Sequence, residues 1–149
     1  MAGKNHVEKS IYLFFDDSGG TARNLSGDLI PGTLSPGGGL VMDEVDMTGV
    51  SQTVKNYLAG HADSTITGKF HFNDTATTGS HTVTKNMVGA VGTLTTQYGQ
   101  NGAAPTTGDP EWEGEYLLVS ATVTVEGGRT VITCTWRPGS STAPAWGTV

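Results

Sequence analysis

The feature that most constrains the fold is a pair of alternating segments joined by a glycine turn near the C-terminus. Residues 115–125 place apolar side chains at every second position, and residues 129–137 do so again after Glu126-Gly127-Gly128. A period of two is typical of a strand with one buried face, and a short glycine turn between two such strands indicates a β-hairpin. The predicted inward set is Leu117, Val119, Ala121, Val123 and Val125 on the first strand, and Thr130, Ile132, Cys134 and Trp136 on the second.

Two earlier segments also predict strands. Residues 64–73 alternate cleanly, with Ile66, Gly68, Phe70 and Phe72 on one face. Residues 10–15 form a short apolar run that ends at the turn Asp16-Asp17-Ser18-Gly19-Gly20. The charged fraction is only 15% and the chain contains 22 glycines, a composition that favours short strands and many turns. At 149 residues, the chain 1–149 is expected to form a single domain.

One segment, residues 79–91, has helical spacing. Its apolar residues recur at Val83, Met87, Val88 and Val91, and a hydroxyl residue just before them could cap the helix. We expect about three helical turns resting on the sheet. The predicted fold class is therefore mainly β, an antiparallel β-sandwich or open barrel with one flanking α-helix.

Residues 38–62 are the least regular part of the sequence. An acidic stretch precedes a Thr-Gly turn and a weakly alternating apolar stretch, so we expect a long exposed hairpin, although a helix over residues 52–58 is an alternative. The acidic residues are Asp43, Glu44 and Asp46, and the apolar contact residues are Val50, Val54, Tyr57 and Leu58. The Ser-, Ala- and Pro-rich residues 138–149 are expected to form a C-terminal arm that reaches across a neighbour or stays mobile.

The charge balance disfavours tight binding to nucleic acid. The net charge is −6 and the eight basic residues are scattered, so no basic stripe could neutralise phosphates. Cys134 is the only cysteine, which excludes an intramolecular disulfide. Residues 1–6 lack the apolar run of a leader and no stretch is long enough to span a membrane, so we expect synthesis in a reducing cytoplasm and no membrane partner.

Three groups of residues were tested for chemistry, and none gives a convincing site. His71, Asp74 and His81 could hold a metal, but they are better explained as an exposed strand residue, a loop residue and a residue of the first helical turn. Glu111, Glu113 and Glu115 would lie on one strand face, where a solvated or lumen-facing acidic edge is a better account than a glycosidase cleft. Trp112, Trp146 and Tyr98 could form a sugar-binding platform. The sequence thus predicts no catalytic, cofactor-binding or metal site and no enzyme.

The stretch from Ile66 to Val83 resembles the strand–loop–helix core of siphophage tail tube proteins, also called major tail proteins. These proteins commonly have a strand that ends in an aromatic residue and Asp, a small polar loop, and Gly-x-His at the start of a helix; here the corresponding residues are 72–74 and Gly79-Ser80-His81. The segment from Arg23 to Asp28 resembles their early Arg-Asp-Leu-Ser segment, with Asn24 in place of the acidic residue. The closing strand pair, residues 115–137, also lies where the family has it.

The resemblance implies a structural function. Such subunits form hexameric rings that stack through a long hairpin and the termini into the tail tube of a bacteriophage virion, and DNA passes through the channel without specific binding. For this chain it implies that Val50, Val54, Tyr57 and Leu58 stack rings, and that Asp43, Glu44 and Asp46 face the lumen or the ring junction. The implied partners are other copies of the chain, a tape-measure protein and tail-end proteins. An acidic channel would repel phosphates and let DNA slide.

Two other functions stay open at this point. A related virion component, such as a tail terminator, a baseplate ring or a head decoration protein, would share the fold but need no self-stacking hairpin. A carbohydrate-binding β-sandwich would instead be a monomer with an exposed aromatic patch. A hydrolase built on residues 111–115 is a remote third possibility.

Overall fold

The computed structural model describes residues 6–149, so residues 1–5, on which the expectation about a leader mostly rests, lie outside the described part of the chain. Strands hold 48% of the residues and helices 6%. A 3₁₀ turn, Glu8–Ser10, is followed by β1 Ile11–Asp16, β2 Ala22–Asn24, β3 Val41–Asp46, β4 Tyr57–Asp63, β5 Ile66–His71, α1 Ser80–Thr84, β6 Val91–Tyr98, β7 Pro110–Glu126, β8 Arg129–Pro138 and β9 Ala145–Thr148. The prediction of a mainly β fold with one helix is confirmed.

Seven strands form one antiparallel sheet in the order β2-β1-β6-β7-β8-β5, with β9 also paired to β7. The sheet ends at β2 and β5 and does not close into a barrel in the described residues. Phe15 of β1 meets Trp136 of β8 edge-on, with ring centroids 5.6 Å apart, although two strands separate them in the sheet. Because strands far apart in order share one core, the sheet folds over itself as a sandwich does.

The long strand β7 belongs to both layers of the sandwich. Its first part pairs with β6 and β9, and its second part pairs with β8 beyond a register shift at Leu118/Ser120. A bulge of this kind bends a strand and changes which face its side chains occupy. The predicted inward phase is therefore wrong before the bulge, where Tyr116 and Leu118 are buried instead of Leu117. Beyond it, Ala121 packs on the core as predicted, but Val123 and Val125, which were also predicted to face inward, are exposed, as is Val119 at the bulge.

The hairpin between β7 and β8 is confirmed, including its two-glycine turn. Gly127 and Gly128 have φ of +57° and +78°, the left-handed values that the favoured two-residue turn requires. On β8, Ile132, Cys134 and Trp136 are fully or almost fully buried, as the alternation predicts, whereas Thr130 is exposed and Val131, of the opposite phase, is buried.

The helix is much shorter than the predicted 79–91. Only Ser80–Thr84 is α-helical, and the next residues form turns in which Met87 and Ala90 donate backbone hydrogen bonds three residues back. The chain then needs a left-handed residue, Gly89 with φ +83°, to redirect it, and the Gly89 N–H bonds the Leu118 carbonyl instead of continuing a helix. Val83 and Met87 are nonetheless buried, so the spacing identified the inward face correctly.

The C-terminal residues 138–149 do not form the predicted arm. Residues 145–148 are β9, which pairs with Pro110 to Glu113 of the same chain, and buried Pro144 packs against Gly114. Trp146 explains the difference, because its ring meets Trp112 at 5.1 Å between centroids and gives the tail an apolar contact on its own domain.

Candidate assembly surfaces

The expected hairpin over residues 38–62 is present, and it stands apart from the body. Strands β3 and β4 pair only with each other, as a separate two-stranded sheet. From Leu40 to Asp63 every residue is exposed except Thr48 and Gly60, which are half-buried. The alternative of a helix over residues 52–58 is wrong. We call residues 40–63 the exposed hairpin.

The exposed hairpin carries many uncovered apolar side chains. Those on its strands and tip are Leu40, Val41, Met42, Val45, Met47, Val50, Val54, Tyr57 and Leu58. A two-stranded ribbon is marginally stable in water, and contiguous apolar surface on a soluble protein marks a contact with another molecule. The exposed hairpin is therefore a candidate interaction surface.

The tip of the exposed hairpin, residues 47–56, is held by its own polar bonds. The Met47 N–H bonds the Asn56 carbonyl at 2.8 Å, the Gln52 side chain accepts from the Gly49 N–H at 2.7 Å, and the Thr48 hydroxyl accepts from the Asn56 N–H at 2.9 Å. These bonds leave the apolar residues of the tip facing outward. Val50 and Val54 thus lie in the tip loop, with Val50 fully exposed, whereas Tyr57 and Leu58 lie on β4.

The three predicted acidic residues do not share one face. Strand alternation and the pairs Val45–Leu58 and Asp46–Tyr57 put Asp43 on one face of the ribbon and Glu44 with Asp46 on the other. Asp46 also has a local role: its carboxylate accepts from the Thr48 N–H at 2.9 Å. Hydrogen bonding by the Thr48 hydroxyl and backbone lowers the pKa of Asp46. Asp46 thus shapes the tip as well as charging it.

Both ends of the exposed hairpin converge on Trp112 of β7. At the first end, Gly37 accepts a hydrogen bond from the Tyr98 hydroxyl, and a Cβ added to Gly38 would lie 2.9 Å from Trp112 Cγ. At the second end, the Ser64 hydroxyl lies 2.6 Å from Tyr116 Oη, which accepts from Trp112 Nε1 at 2.8 Å. We call these contacts at the two ends the mount; the alternation of apolar residues does not predict them. The one sequence signal of the mount was the Gly37-Gly38-Gly39 run, since glycines mark close backbone approach.

A second candidate surface is the unpaired side of β7, residues 119–126, which we call the open edge. Beyond Leu117, β7 has no partner on the side of β6, so the open edge pairs with β8 alone in the described chain. Val119, Val123 and Val125 are exposed there, and the single charge, on Glu126, pairs with Lys69 at 3.0 Å. Such an edge, without a proline or a free charge, is a template for pairing with another strand.

A third candidate surface is acidic. Glu111, Glu113 and Glu115, which we call the glutamate row, project from the side of β7 opposite to buried Trp112, as the alternation predicts. Each accepts a hydrogen bond from a β6 side chain directly across: from Gln97 at 2.7 Å, Thr95 at 3.2 Å and Thr93 at 2.6 Å, respectively. These neutral partners fix the carboxylates in line without neutralising them. Because Trp112 faces the other way, the row forms no cleft with it.

The aromatic candidates do come together, although not as a platform. Trp146 contacts Trp112 and Tyr98, with centroid distances of 5.1 and 5.8 Å and ring planes tilted by 63° and 49°. Trp112 is 1% exposed and is covered by Gly38. A sugar ring stacks on a flat exposed aromatic face, and of these three rings only Trp146 is mainly exposed.

The metal candidates are not assembled into a site. His81 stacks on Phe72 at 4.4 Å between ring centroids, and residues 6–149 contain no group of three His, Cys, Asp or Glu side chains placed to hold a metal ion. Cys134 is fully buried, and burial raises the pKa of its thiol to about 12. In the same range, no helix has the length and apolar character needed to cross a lipid bilayer.

Comparison of the chain with protein-family models finds no match, and a search of curated proteins also finds none.

Proposed function

We propose that the chain is a structural subunit that assembles with identical copies into stacked rings, forming the tail tube of a long-tailed bacteriophage. The channel of this tube conducts DNA without binding it specifically. The observation that carries the proposal is the exposed hairpin, a two-stranded ribbon whose apolar side chains have no cover on their own body. Such a ribbon gains stability when another molecule covers it.

The assignment of contacts follows from the three candidate surfaces. The exposed hairpin stacks one ring on the next through Val50, Val54, Tyr57 and Leu58. The open edge supplies a lateral contact, because a strand from a neighbour would satisfy its free N–H and C=O groups. In this lateral contact the open edge of one subunit pairs with a different surface of its neighbour. Such a head-to-tail contact closes into a ring when the rotation between subunits permits.

The glutamate row is our preferred wall for the channel. Its carboxylates are held in line by Thr93, Thr95 and Gln97, and within residues 6–149 none of the three forms a salt bridge. An ordered acidic wall repels DNA phosphates over its whole length. Asp43 and Glu44, on opposite faces of the exposed hairpin, are assigned to the ring junction.

Electron microscopy of the purified chain tests the proposal. Hollow tubes are expected; single rings would favour a terminator or baseplate ring, and monomers that coat capsids would favour a decoration protein. Dispersed monomers that bind glycans would favour the carbohydrate-binding alternative. Dispersed monomers without any such partner would overturn the proposal of self-assembly.

A tip variant makes the same test specific to the exposed hairpin. Replacing Thr48–Lys55 by Asn-Gly keeps the bonded pair Met47–Asn56 beside a favoured two-residue turn, so β3 and β4 can still pair. We expect folded subunits that no longer stack. Exchanging exposed Val88 for Ser is the control on the body and should leave assembly unchanged. Tubes of normal length from the tip variant would show that the tip does not stack rings.

A further inference from the structure

The mount of the exposed hairpin includes a residue from the far end of the chain. Trp146 of β9 closes over the first end, because a Cβ added to Gly38 would lie 3.0 Å from Trp146 Cη2 as well as 2.9 Å from Trp112 Cγ. Gly38 therefore lies between two indole rings. No larger residue fits there unless one of the rings moves.

The two ends of the exposed hairpin are held in different ways. The second end is fixed in the core by the chain of hydroxyl and indole bonds from Ser64 through Tyr116 to Trp112. The first end is held by the Tyr98 hydroxyl and by packing between Trp112 and Trp146. Trp112 and Tyr116 are buried in the core, whereas Trp146 is mainly exposed, so Trp146 is the most accessible ring of the mount.

Strand β9 is well suited to release. It has four residues, all exposed, and Trp146 itself is 56% exposed. Its hydrogen bonds to residues 110–113 lie at a sheet margin, and short exposed strands are among the first elements to open in a folded protein. The loop before it, residues 139–143, is also exposed, whereas Pro144 is buried against Gly114 and provides a pivot.

We propose that β9 is a latch for the exposed hairpin: with Trp146 docked over Gly38 the ribbon has one orientation on the body, and with β9 released its first end keeps the Tyr98 bond but loses one of its two indole contacts and gains freedom. The latch links the C-terminus to the surface to which assembly is assigned. A fixed ribbon loses less conformational entropy when it docks, so the latched form is the assembly-competent one. This consequence for assembly rests on the proposed function, but the latch itself is a property of the single subunit.

Spin-label distances in the full-length monomer test the latch. Labels at Thr53→Cys in the tip and Thr124→Cys on β7 report the orientation of the ribbon, because both positions are exposed. Cys134 is buried and, with its pKa of about 12, stays unlabelled at neutral pH. Pulsed electron resonance is recorded at a concentration at which the protein is dispersed.

Four variants are compared with the parent. Trp146→Ala removes the latch, Gly38→Ala pushes the first end away from both indoles, and Trp146→Phe restores part of the ring. Gly147→Ala is the matched control on the same strand, since a Cβ at Gly147 meets nothing within 4 Å. A cooperative urea transition confirms that each variant is folded, and Gly38→Ala keeps the test available if Trp146→Ala does not fold.

The latch predicts a narrow distance distribution in the parent and in Gly147→Ala. The distribution should be at least about twofold broader in Trp146→Ala and Gly38→Ala, as expected for a locally released element, with Trp146→Phe intermediate. Equal widths in all backgrounds would overturn the latch. If the distance distributions of Trp146→Ala and Gly38→Ala are broad but the parent forms no tubes, the latch stands and the proposed function is overturned. If the parent forms tubes but all distributions have equal widths, the proposed function stands and the latch is overturned.

Discussion

The hydroxyls of Ser64 and Tyr116 lie 2.6 Å apart in the core, which joins the residue after β4 to the middle of β7. Tyr116 Oη also accepts from Trp112 Nε1. Burial of the phenol raises the pKa of Tyr116. A buried polar chain of this kind is stabilising only while every member has its partner.

Replacing Tyr116 by Phe breaks this chain at its centre. The Ser64 hydroxyl and Trp112 Nε1 then lose their partner while staying buried, which we expect to lower the free energy of unfolding by roughly 1–3 kcal/mol. Urea denaturation at neutral pH measures the change. Tyr57→Phe is the control, because Tyr57 is exposed and should change stability by less than about 0.5 kcal/mol. Equal stabilities of the two variants would contradict the role given to the Tyr116 hydroxyl.

Gly79 is predicted to be intolerant of any side chain. A Cβ there would lie 2.3 Å from the Asn73 carbonyl oxygen and 2.7 Å from the Thr75 nitrogen, and neither backbone atom can move without unfolding the loop before α1. Gly79→Ala should therefore cost about 1–3 kcal/mol or more in thermal or urea unfolding. The control is Gly27→Ala, where a Cβ meets nothing within 4 Å. If Gly79→Ala were as stable as Gly27→Ala, the loop geometry would be wrong.

Sequence reasoning succeeded where one strand face is buried along its length. Strands β5 and β8 were predicted from the alternation of their own residues, and the turn before β8 from Gly127-Gly128. Both signals depend only on residues that are neighbours in the sequence. Sequence reasoning also predicted the exposed hairpin, from an acidic stretch, a Thr-Gly turn and a weakly alternating apolar stretch.

It failed where one distant contact decides the outcome. The bulge at Val119 arises because β7 belongs to both layers of the sandwich. Helix α1 ends early because the Gly89 N–H bonds the Leu118 carbonyl. Strand β9 lies on the body because Trp146 contacts Trp112. None of these contacts has a periodic signature. The mount on Trp112 was missed for the same reason, since its two ends are separated by the whole exposed hairpin.

Stability should decline at alkaline pH for a reason that can be assigned to Cys134. Burial raises the pKa of its thiol from 9.0 to about 12. The folded state thus keeps the proton where the unfolded chain loses it. The stabilisation is complete below about pH 9 and is lost as the pH rises towards 12, by up to about 1.4 kcal/mol per pH unit. Tyr98, whose pKa burial raises from 10.0 to about 12, adds a similar loss that begins one unit higher.

The measurement is the free energy of unfolding at pH 8 and pH 10, compared between the parent and Cys134→Ala. The cavity left by Ala destabilises the variant at both values, so the relevant quantity is the difference between them. We expect the parent to lose roughly 1 kcal/mol more than the variant over this interval. An equal loss in both proteins would mean that Cys134 is accessible to hydroxide in the folded state.

Charge reversal tests whether the glutamate row or the acidic residues of the exposed hairpin line the channel. Glu113→Lys changes the middle of the glutamate row, and the paired change Asp43→Lys with Glu44→Lys alters the exposed hairpin while sparing Asp46, whose carboxylate holds the tip. All these positions are exposed, so folding should be unchanged by circular dichroism. Asp74→Lys, in an exposed loop, is the control for the same change of charge as Glu113→Lys.

If the glutamate row lines the channel, Glu113→Lys places a ring of cations along the path of the DNA. Phosphates then bind where they were repelled, so DNA should be retained by assembled tubes at low salt and released as salt rises, because the binding is driven by counterion release. Infectivity should fall while tail assembly persists. The hairpin pair should impair stacking more than DNA passage, since those residues lie at the ring junction. If tubes of the Asp43→Lys, Glu44→Lys variant retain DNA and tubes of Glu113→Lys do not, Asp43 and Glu44 line the channel instead of the glutamate row. If both variants have normal infectivity, neither acidic surface faces the DNA.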